Sequence, residues 1–214
     1  MEAELIILIF GIIGTIAFAI SGALIAIERD LDLLGVIILG VITACGGGLM
    51  RDIMIGNGIA IFDEPIFPLL AFITALVVFI IMYLIRDMKW EKSKPYKIFY
   101  NIIDAIGLGA FVVTGATCAI EKVSTELFPV AFYSVLTGVG GGMIRDICVC
   151  KIPAIFRKHI YAIAAIIGAL VFYLTYYLNA PLLLSILLTV ILVVVIRFLA
   201  YWFEWGLPKV KLKQ

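Results

Sequence analysis

Two glycine triplets, each followed by an arginine and an aspartate, are the residues in this sequence best suited to chemistry inside a membrane. They are Gly46, Gly47, Gly48, Arg51 and Asp52 in CGGGLMRD, and Gly140, Gly141, Gly142, Arg145 and Asp146 in VGGGMIRD. Each glycine forfeits about 1 kcal/mol of helix propensity in water. We therefore expect both helices to break at the triplets, and irregular backbone at membrane depth is tolerated only inside protein or beside water. The alternative is close helix packing through small residues.

A broken helix could bind either charge. The half-helix before each triplet ends in free carbonyls, which favour a cation, whereas the next half-helix begins with amides that favour a carboxylate. An ion channel and a carrier of small amino acids both fit this pattern. Ionisable residues within membrane spans are functional candidates by default. The two Arg-Asp pairs are thus expected either to gate the mouths of a passage or to tie helix ends to neighbours through charged hydrogen bonds.

Three further kinds of polar residue lie within apolar segments. Thr43 and Thr137 precede the triplets by one turn and could offer oxygens to an ion, or bond back to their own helices. Asp104 is expected either to face a cavity as a cation site or to join helices by hydrogen bonds. Arg197 is expected to extend toward the cytoplasm.

The composition requires lipid as the solvent. Of the 214 residues, 64% are hydrophobic and 14% charged, against about 45–50% apolar and about 25% charged in soluble domains. The net charge of +1 gives no reason to expect a nucleic-acid partner. No phosphate loop, activated nucleophile or metal-ligand spacing is present, so we expect no enzyme activity, no cofactor and no fixed metal site.

Seven segments are long enough to cross a bilayer, which takes about 20 apolar residues. All should be helices, because only helices and closed barrels satisfy their backbone groups in hydrocarbon. The predicted spans are Leu5–Ile27, Leu34–Ile55, Ile66–Ile85, Ile98–Ile120, Leu127–Val149, Ile160–Leu178 and Leu182–Phe203.

The lysines and arginines predict the orientation, since they are enriched in cytoplasmic loops. Alternating spans put twelve of them on one face and only Lys122 on the other. We therefore expect a cytoplasmic C-terminus and an outside N-terminus. The twelve are Arg29, Arg86, Lys89, Lys92, Lys94, Lys97, Lys151, Arg157, Lys158, Lys209, Lys211 and Lys213.

The chain contains an internal repeat. The two triplet motifs recur at an offset of 94, and Ser21-Gly22-Ala23 recurs as Thr114-Gly115-Ala116 at an offset of 93. Each copy holds three spans, so the second copy must enter the membrane inverted, an architecture of many transporters. We predict an all-α membrane protein of two inverted three-helix repeats, with the second and fifth helices broken. The divisions are 1–97, 98–180, and a seventh helix with its tail at 181–214.

At these motifs the sequence resembles the prokaryotic members of the trimeric intracellular cation (TRIC) channel family, which overlaps the bacterial proteins with a glycine-transporter domain. The resemblance covers almost the whole chain and is carried by GGGLMRD, DAIGLGAF at 104–111, TGVGGGMIRD at 137–146 and KIPAIFRKHIYA at 151–162. It implies a homotrimer in a prokaryotic plasma membrane, with one pore for K⁺ and Na⁺ between the repeats of each subunit. A carrier of glycine or a similar amino acid is the main alternative function, and a structural scaffold a weaker one. The Lys-Glu-Val tripeptide of the animal members is absent, so their phosphoinositide regulation is not implied.

Overall fold

The chain folds into helices, as predicted. The computed structural model describes residues 2–56, 58–85, 93–157 and 160–206, and every regular element in these ranges is α-helical. Seven of the helices are long and apolar enough to cross a membrane, which confirms the predicted spans. Numbered in chain order, the helices are α1 Glu2–Glu28, α2 Leu33–Ile55, α3 Ala60–Asp63, α4 Ile66–Ile85, α5 Lys94–Lys122, α6 Leu127–Cys148, α7 Ala154–Arg157, α8 Ile160–Tyr177 and α9 Leu182–Trp202.

Local chemistry accounts for several helix ends. Asp32 begins α2 by accepting a 2.8 Å hydrogen bond from the amide of Gly35, and Ser93 begins α5 by accepting one from Tyr96. Such caps satisfy amides that have no partner in the first turn. Gly56 ends α2 in the left-handed region, with φ of 76°, where a side chain would be strained.

The helices form two bundles of three that pack against each other. In the first bundle α1, α2 and α4 contact one another, and in the second bundle α5, α6 and α8 do so. The bundles meet where α1 packs on α5 and α2 packs on α6, while α9 lies against α5 and α8. Large apolar side chains remain uncovered, such as Leu84 at 74% exposed and Ile191 at 58%, as expected for surfaces that face lipid.

The orientation in the membrane stays a prediction. Several of the cations counted for it, and the side chain of Arg157, lie outside the described residues. These cations are Arg86, Lys89, Lys92, Lys158, Lys209, Lys211 and Lys213.

The predicted helix breaks are not present. Both α2 and α6 continue as α-helix through their glycine triplets, from Leu33 to Ile55 and from Leu127 to Cys148. The triplets serve helix contact instead. A Cβ on Gly47 would overlap the carbonyl oxygen of Thr137, and a Cβ on Gly141 would overlap that of Thr43.

This contact explains why glycines occupy the crossing of α2 and α6. A Cβ on Gly140 would lie 3.0 Å from the Cα of Gly47, and one on Gly46 would lie 2.8 Å from Cδ1 of Ile144. The two backbones therefore approach closely at residues without side chains, as small residues allow in membrane helices. Of the two alternatives left open by the sequence, these contacts correspond to close packing.

We predict that Gly47→Ala and Gly141→Ala each lower stability by about 1–3 kcal/mol, because the added methyl group meets a backbone carbonyl and forces the helices apart. Thermal unfolding of the purified protein in detergent measures the effect. Gly48→Ala is the matched control, since the nearest atom to its Cβ is Nη2 of Arg51 at 3.7 Å. Equal unfolding temperatures for all three variants would contradict the packing role.

Candidate functional site

The two Arg-Asp pairs have the same local geometry in the two bundles. The Nε atom of Arg51 donates to Asp52 at 2.8 Å, and that of Arg145 donates to Asp146 at 3.0 Å. In both pairs the second carboxylate oxygen accepts an amide at the start of a short helix. Asp52 accepts from Ala60 of α3 at 3.0 Å, and Asp146 accepts from Ala154 of α7 at 2.9 Å. Each aspartate therefore joins its arginine to the loop that follows the helix.

Beyond these shared bonds, Arg145 is the centre of a buried ionic cluster. Its Nη1 donates to Asp104 at 2.8 Å and to the hydroxyl of Ser21 at 2.6 Å. Ser21 also donates to Asp104 at 3.0 Å. Arg197 approaches the other oxygen of Asp104, with Nη2 at 3.3 Å. Two arginines from α6 and α9 thus share one carboxylate from α5.

Two tyrosines complete the enclosure of this cluster. The guanidinium carbon of Arg197 lies 4.5 Å from the ring centroid of Tyr161, and that of Arg145 lies 5.8 Å from the centroid of Tyr100. Cations over aromatic faces are attracted by the ring quadrupole. The side chains of Arg145 and Asp104 are both 2% exposed. We refer to Ser21, Asp104, Arg145, Asp146 and Arg197 as the ionic cluster.

In the ionic cluster Asp104 has the contacts expected of its packing alternative, and Arg197 is buried with it. Asp104 is a buried helix-packing group with arginine partners and does not line the cavity described below. Arg197 does not extend toward the cytoplasm but stays buried, at 6% exposed. An arginine within a span needs a counter-charge, and α9 contains no acidic residue. The carboxylate of α5 supplies it.

A cavity of about 370 Å³ occupies the corresponding place beside Arg51, between α1, α2 and the start of α4 of the first bundle and α5 and α6 of the second. It reaches from Glu4 and Glu121 to Gly48 and Thr137 at the crossing of α2 and α6. Arg51 lies on its wall, with its side chain 12% exposed. Charged residues on the lining are four carboxylates and two cations, namely Glu4, Asp52, Glu64, Glu121, Arg51 and Lys122.

The repeat offsets explain why a cavity lies beside Arg51 whereas the ionic cluster surrounds the equivalent Arg145. The positions equivalent to Tyr100, Asp104 and Tyr161 in the first bundle are Ile7, Gly11 and Phe67. All three of these smaller or apolar residues line the cavity. The helix that supplies Arg197 follows the second bundle and has no equivalent in the first. Arg51 therefore keeps its aspartate but lacks the carboxylate and aromatic groups that enclose Arg145.

The remaining predicted site residues divide between core and cavity. Thr43 is fully buried, and Thr137 lines the cavity; each donates at 2.6 Å to the carbonyl four residues before it. Gly48 also lines the cavity, whereas a Cβ on Gly142 would lie 3.0 Å from the hydroxyl of Tyr161. Sequence reasoning missed Thr15, Thr114 and Thr117, which line the cavity as well. Within the described ranges, no group of His, Cys, Asp or Glu side chains could hold a metal ion.

Comparison with known proteins agrees with the repeat. The family model for the glycine transporter matches residues 8–83 and 101–177, two segments whose starts are 93 residues apart. The UPF0126 membrane protein YvgT of Bacillus subtilis is 39% identical over 75% of this chain and 76% of its own length. The UPF0126 inner membrane protein YadS of Escherichia coli K12 is 38% identical over 73% of this chain and 72% of its own.

Solved structures extend the similarity to nearly the whole fold. A TRIC cation channel from a study of conductance superposes with a TM-score of 0.82 at 34% identity, covering 96% of this chain and 98% of that one. The TRIC channel orthologue from Rhodobacter sphaeroides gives a TM-score of 0.83 at 26% identity, covering 94% and 99%. The chain therefore has the TRIC channel fold and is a multi-pass membrane protein, and the fold gives no support to an enzyme.

We predict that Asp104→Asn destabilises the protein by about 3–5 kcal/mol, because it leaves two buried arginines short of a counter-charge. Removing one of them as well, in the double variant Asp104→Asn with Arg197→Leu, should restore part of the loss. Thermal unfolding and the yield of monodisperse protein measure both effects. Asp52→Asn is the control, since its partner Arg51 faces the cavity. Wild-type stability of Asp104→Asn would contradict the assigned role of the cluster.

Proposed function

The chain belongs to the glycine transporter family, and we propose that it is a passive channel for monovalent cations, K⁺ and Na⁺, with a pore between the two repeats of each subunit. One observation carries the proposal: a cavity with more carboxylates than cations reaches the crossing of α2 and α6. A low-dielectric passage lined mainly by one sign of charge concentrates ions of the opposite sign. Four carboxylates against Arg51 and Lys122 favour cations.

The solved structures support the same function, because the matched proteins are TRIC cation channels. A homotrimer is proposed from the same similarity. The inverted arrangement of the two repeats is proposed from the odd number of spans in each copy. In that arrangement the cavity opens on the outer face, since Glu4, Glu64 and Glu121 all lie at the end of the bundle away from the basic loops.

The site residues take different roles in this proposal. Gly48 and Thr137 form the wall of the passage where the cavity ends, and Gly46, Gly47, Gly140 and Gly141 hold the two helices in contact beside it. Arg51 and Asp52 set the charge of the part of the passage that the cavity forms. The equivalent pair, Arg145 and Asp146, lies with Asp104 in the buried ionic cluster, and in this proposal the cluster holds α5, α6 and α9 together beside the passage. Gly142 and Thr43 support these positions from within the packed crossing.

A second candidate function is a carrier of glycine or another small amino acid. Arg51 on the cavity wall could bind a carboxylate, and Glu121 or Glu64 could bind the ammonium group of the same molecule. The name of the family model favours this alternative. Its kinetics would differ, because a carrier saturates and exchanges substrate, whereas an open channel passes many ions as discrete currents.

Paired measurements on one preparation separate the two functions. Purified protein in planar bilayers should give unitary currents whose reversal potential in a KCl gradient follows the cation. Liposomes with the same protein should take up labelled glycine no faster than empty ones. Saturable glycine uptake with counterflow and silent bilayers would overturn the channel proposal in favour of the carrier.

We predict that Gly48→Leu abolishes cation currents while the protein still folds, because the new side chain enters the cavity and, among the described residues, no backbone atom of another helix lies within 4 Å of its Cβ. Current amplitude in bilayers and elution as a folded species in detergent are the two readouts. Gly206→Leu is the control, since its Cβ meets nothing within 4 Å and it does not line the cavity. Wild-type currents from Gly48→Leu would remove this cavity from the permeation path.

A further inference from the structure

Four threonines from three helices line the cavity beside Arg51. We name this set the threonine ladder: Thr15 of α1, Thr114 and Thr117 of α5, and Thr137 of α6. Lys122 ends α5, and from there Thr117 lies about 8 Å and Thr114 about 12 Å deeper, at 1.5 Å per residue. Thr137 lies about 15 Å from the start of α6 at Leu127. The hydroxyls therefore follow the wall from near the mouth to the helix crossing.

The three helices that carry the threonines pack closely against one another. The hydroxyl of Thr137 would lie 2.7 Å from a Cβ on Gly115, the residue after Thr114. On the other side, a Cβ on Gly14, the residue before Thr15, would lie 3.1 Å from the ring of Phe111, one turn before Thr114. Glycines next to the ladder thus let α1 and α6 approach α5. Closely packed walls keep the hydroxyls at defined positions.

The hydrogen bonds of Thr114, Thr117 and Thr137 use the hydroxyl protons and leave the oxygens as acceptors. Thr114 donates to the carbonyl of Phe111 at 3.2 Å, and Thr117 donates to that of Val113 at 3.2 Å. Thr137 donates to Tyr133 at 2.6 Å. A hydroxyl has one proton and two lone pairs, so a threonine bonded back to its own helix acts only as an acceptor toward its surroundings. Acceptors bind cations and repel anions.

Thr15 provides an independent indication of a ligand. Its side chain is buried, with the residue 2% exposed, and it lines the cavity. Within the described part of the chain, its hydroxyl has no hydrogen-bond partner. Among the described residues, the fully enclosed side-chain atoms without a partner are Oη of Tyr161 and Nε of Arg197, so the Thr15 oxygen is open to the cavity. Because polar groups in protein interiors nearly always have a partner, a species in the cavity must complete the hydrogen bonding of Thr15.

We propose that the threonine ladder is a coordination site at which a monovalent cation exchanges part of its hydration shell for hydroxyl oxygens. This inference rests on the proposed function, because it assigns a step to cations that enter the cavity. Neutral oxygens replace water around weakly hydrated ions such as K⁺, Rb⁺ and Tl⁺. Mg²⁺ gives up its water reluctantly and takes carboxylates, so the ladder discriminates against it.

Replacing two threonines of the ladder by valine tests the site. Valine has the shape of threonine without the oxygen, so Thr114→Val with Thr117→Val should reduce K⁺ conductance about five-fold or more through lost coordination. Serine at both positions keeps the oxygens and should retain conductance. Thr175→Val is the matched control, because Thr175 also bonds back to its helix, at 3.0 Å from Val171, but lies outside the cavity.

A direct binding measurement separates this inference from the channel function. Crystals of the full chain soaked in Tl⁺ should show anomalous density among the ladder hydroxyls, and the double valine variant should lose it. A Tl⁺ peak in a protein that carries no current would support the site and overturn the channel. Cation currents with no Tl⁺ peak, and with wild-type conductance in the valine variant, would support the channel and overturn the site.

Discussion

The contact between the backbones of α2 and α6 at Gly47 and Gly141 is the constraint on which the site depends. Each glycine lies against a threonine carbonyl of the other helix, so the two bundles are in direct contact through their backbones. Arg51 and Arg145 follow these glycines by four residues, one turn along the same face. The crossing therefore places both guanidinium groups one turn from the line where the bundles meet. A wider crossing would move both arginines away from their partners.

The two arginines then differ only in what surrounds them. Arg145 is enclosed because α5 supplies Asp104, α8 supplies Tyr161 and α9 supplies Arg197. Burying an ion pair costs several kcal/mol per ion, and only good geometry and further hydrogen bonds repay it. Arg51 avoids part of this cost because it lies on the wall of a cavity, with its side chain 12% exposed. The same Arg-Asp motif thus lies beside a cavity in one repeat and within an enclosed cluster in the other.

The sequence was sufficient for the spans and the repeat but not for the contacts between helices. Hydrophobic length alone located all seven spans, because lipid imposes that length on every helix. The helix break was wrongly predicted, since helix propensity in water does not include the gain from close backbone packing at Gly47 and Gly141. Asp104 and Arg197 are 93 residues apart, and no local pattern pairs them. Their pairing could have been inferred only by elimination, because few acidic residues lie within the spans.

The seventh helix is what makes the two halves unequal. It lies outside the repeat, yet its Arg197 shares Asp104 with Arg145 and so joins α9 to the second bundle. The first bundle has Gly11 where Asp104 would be, so a second arginine there would have no carboxylate to share. Asp104 and Arg197 thus depend on each other, since either one alone would leave the charges around Arg145 unbalanced. Asp104 and Arg197 of α9 therefore act as one structural unit, which fills the space around Arg145, whereas a cavity lies beside the equivalent Arg51.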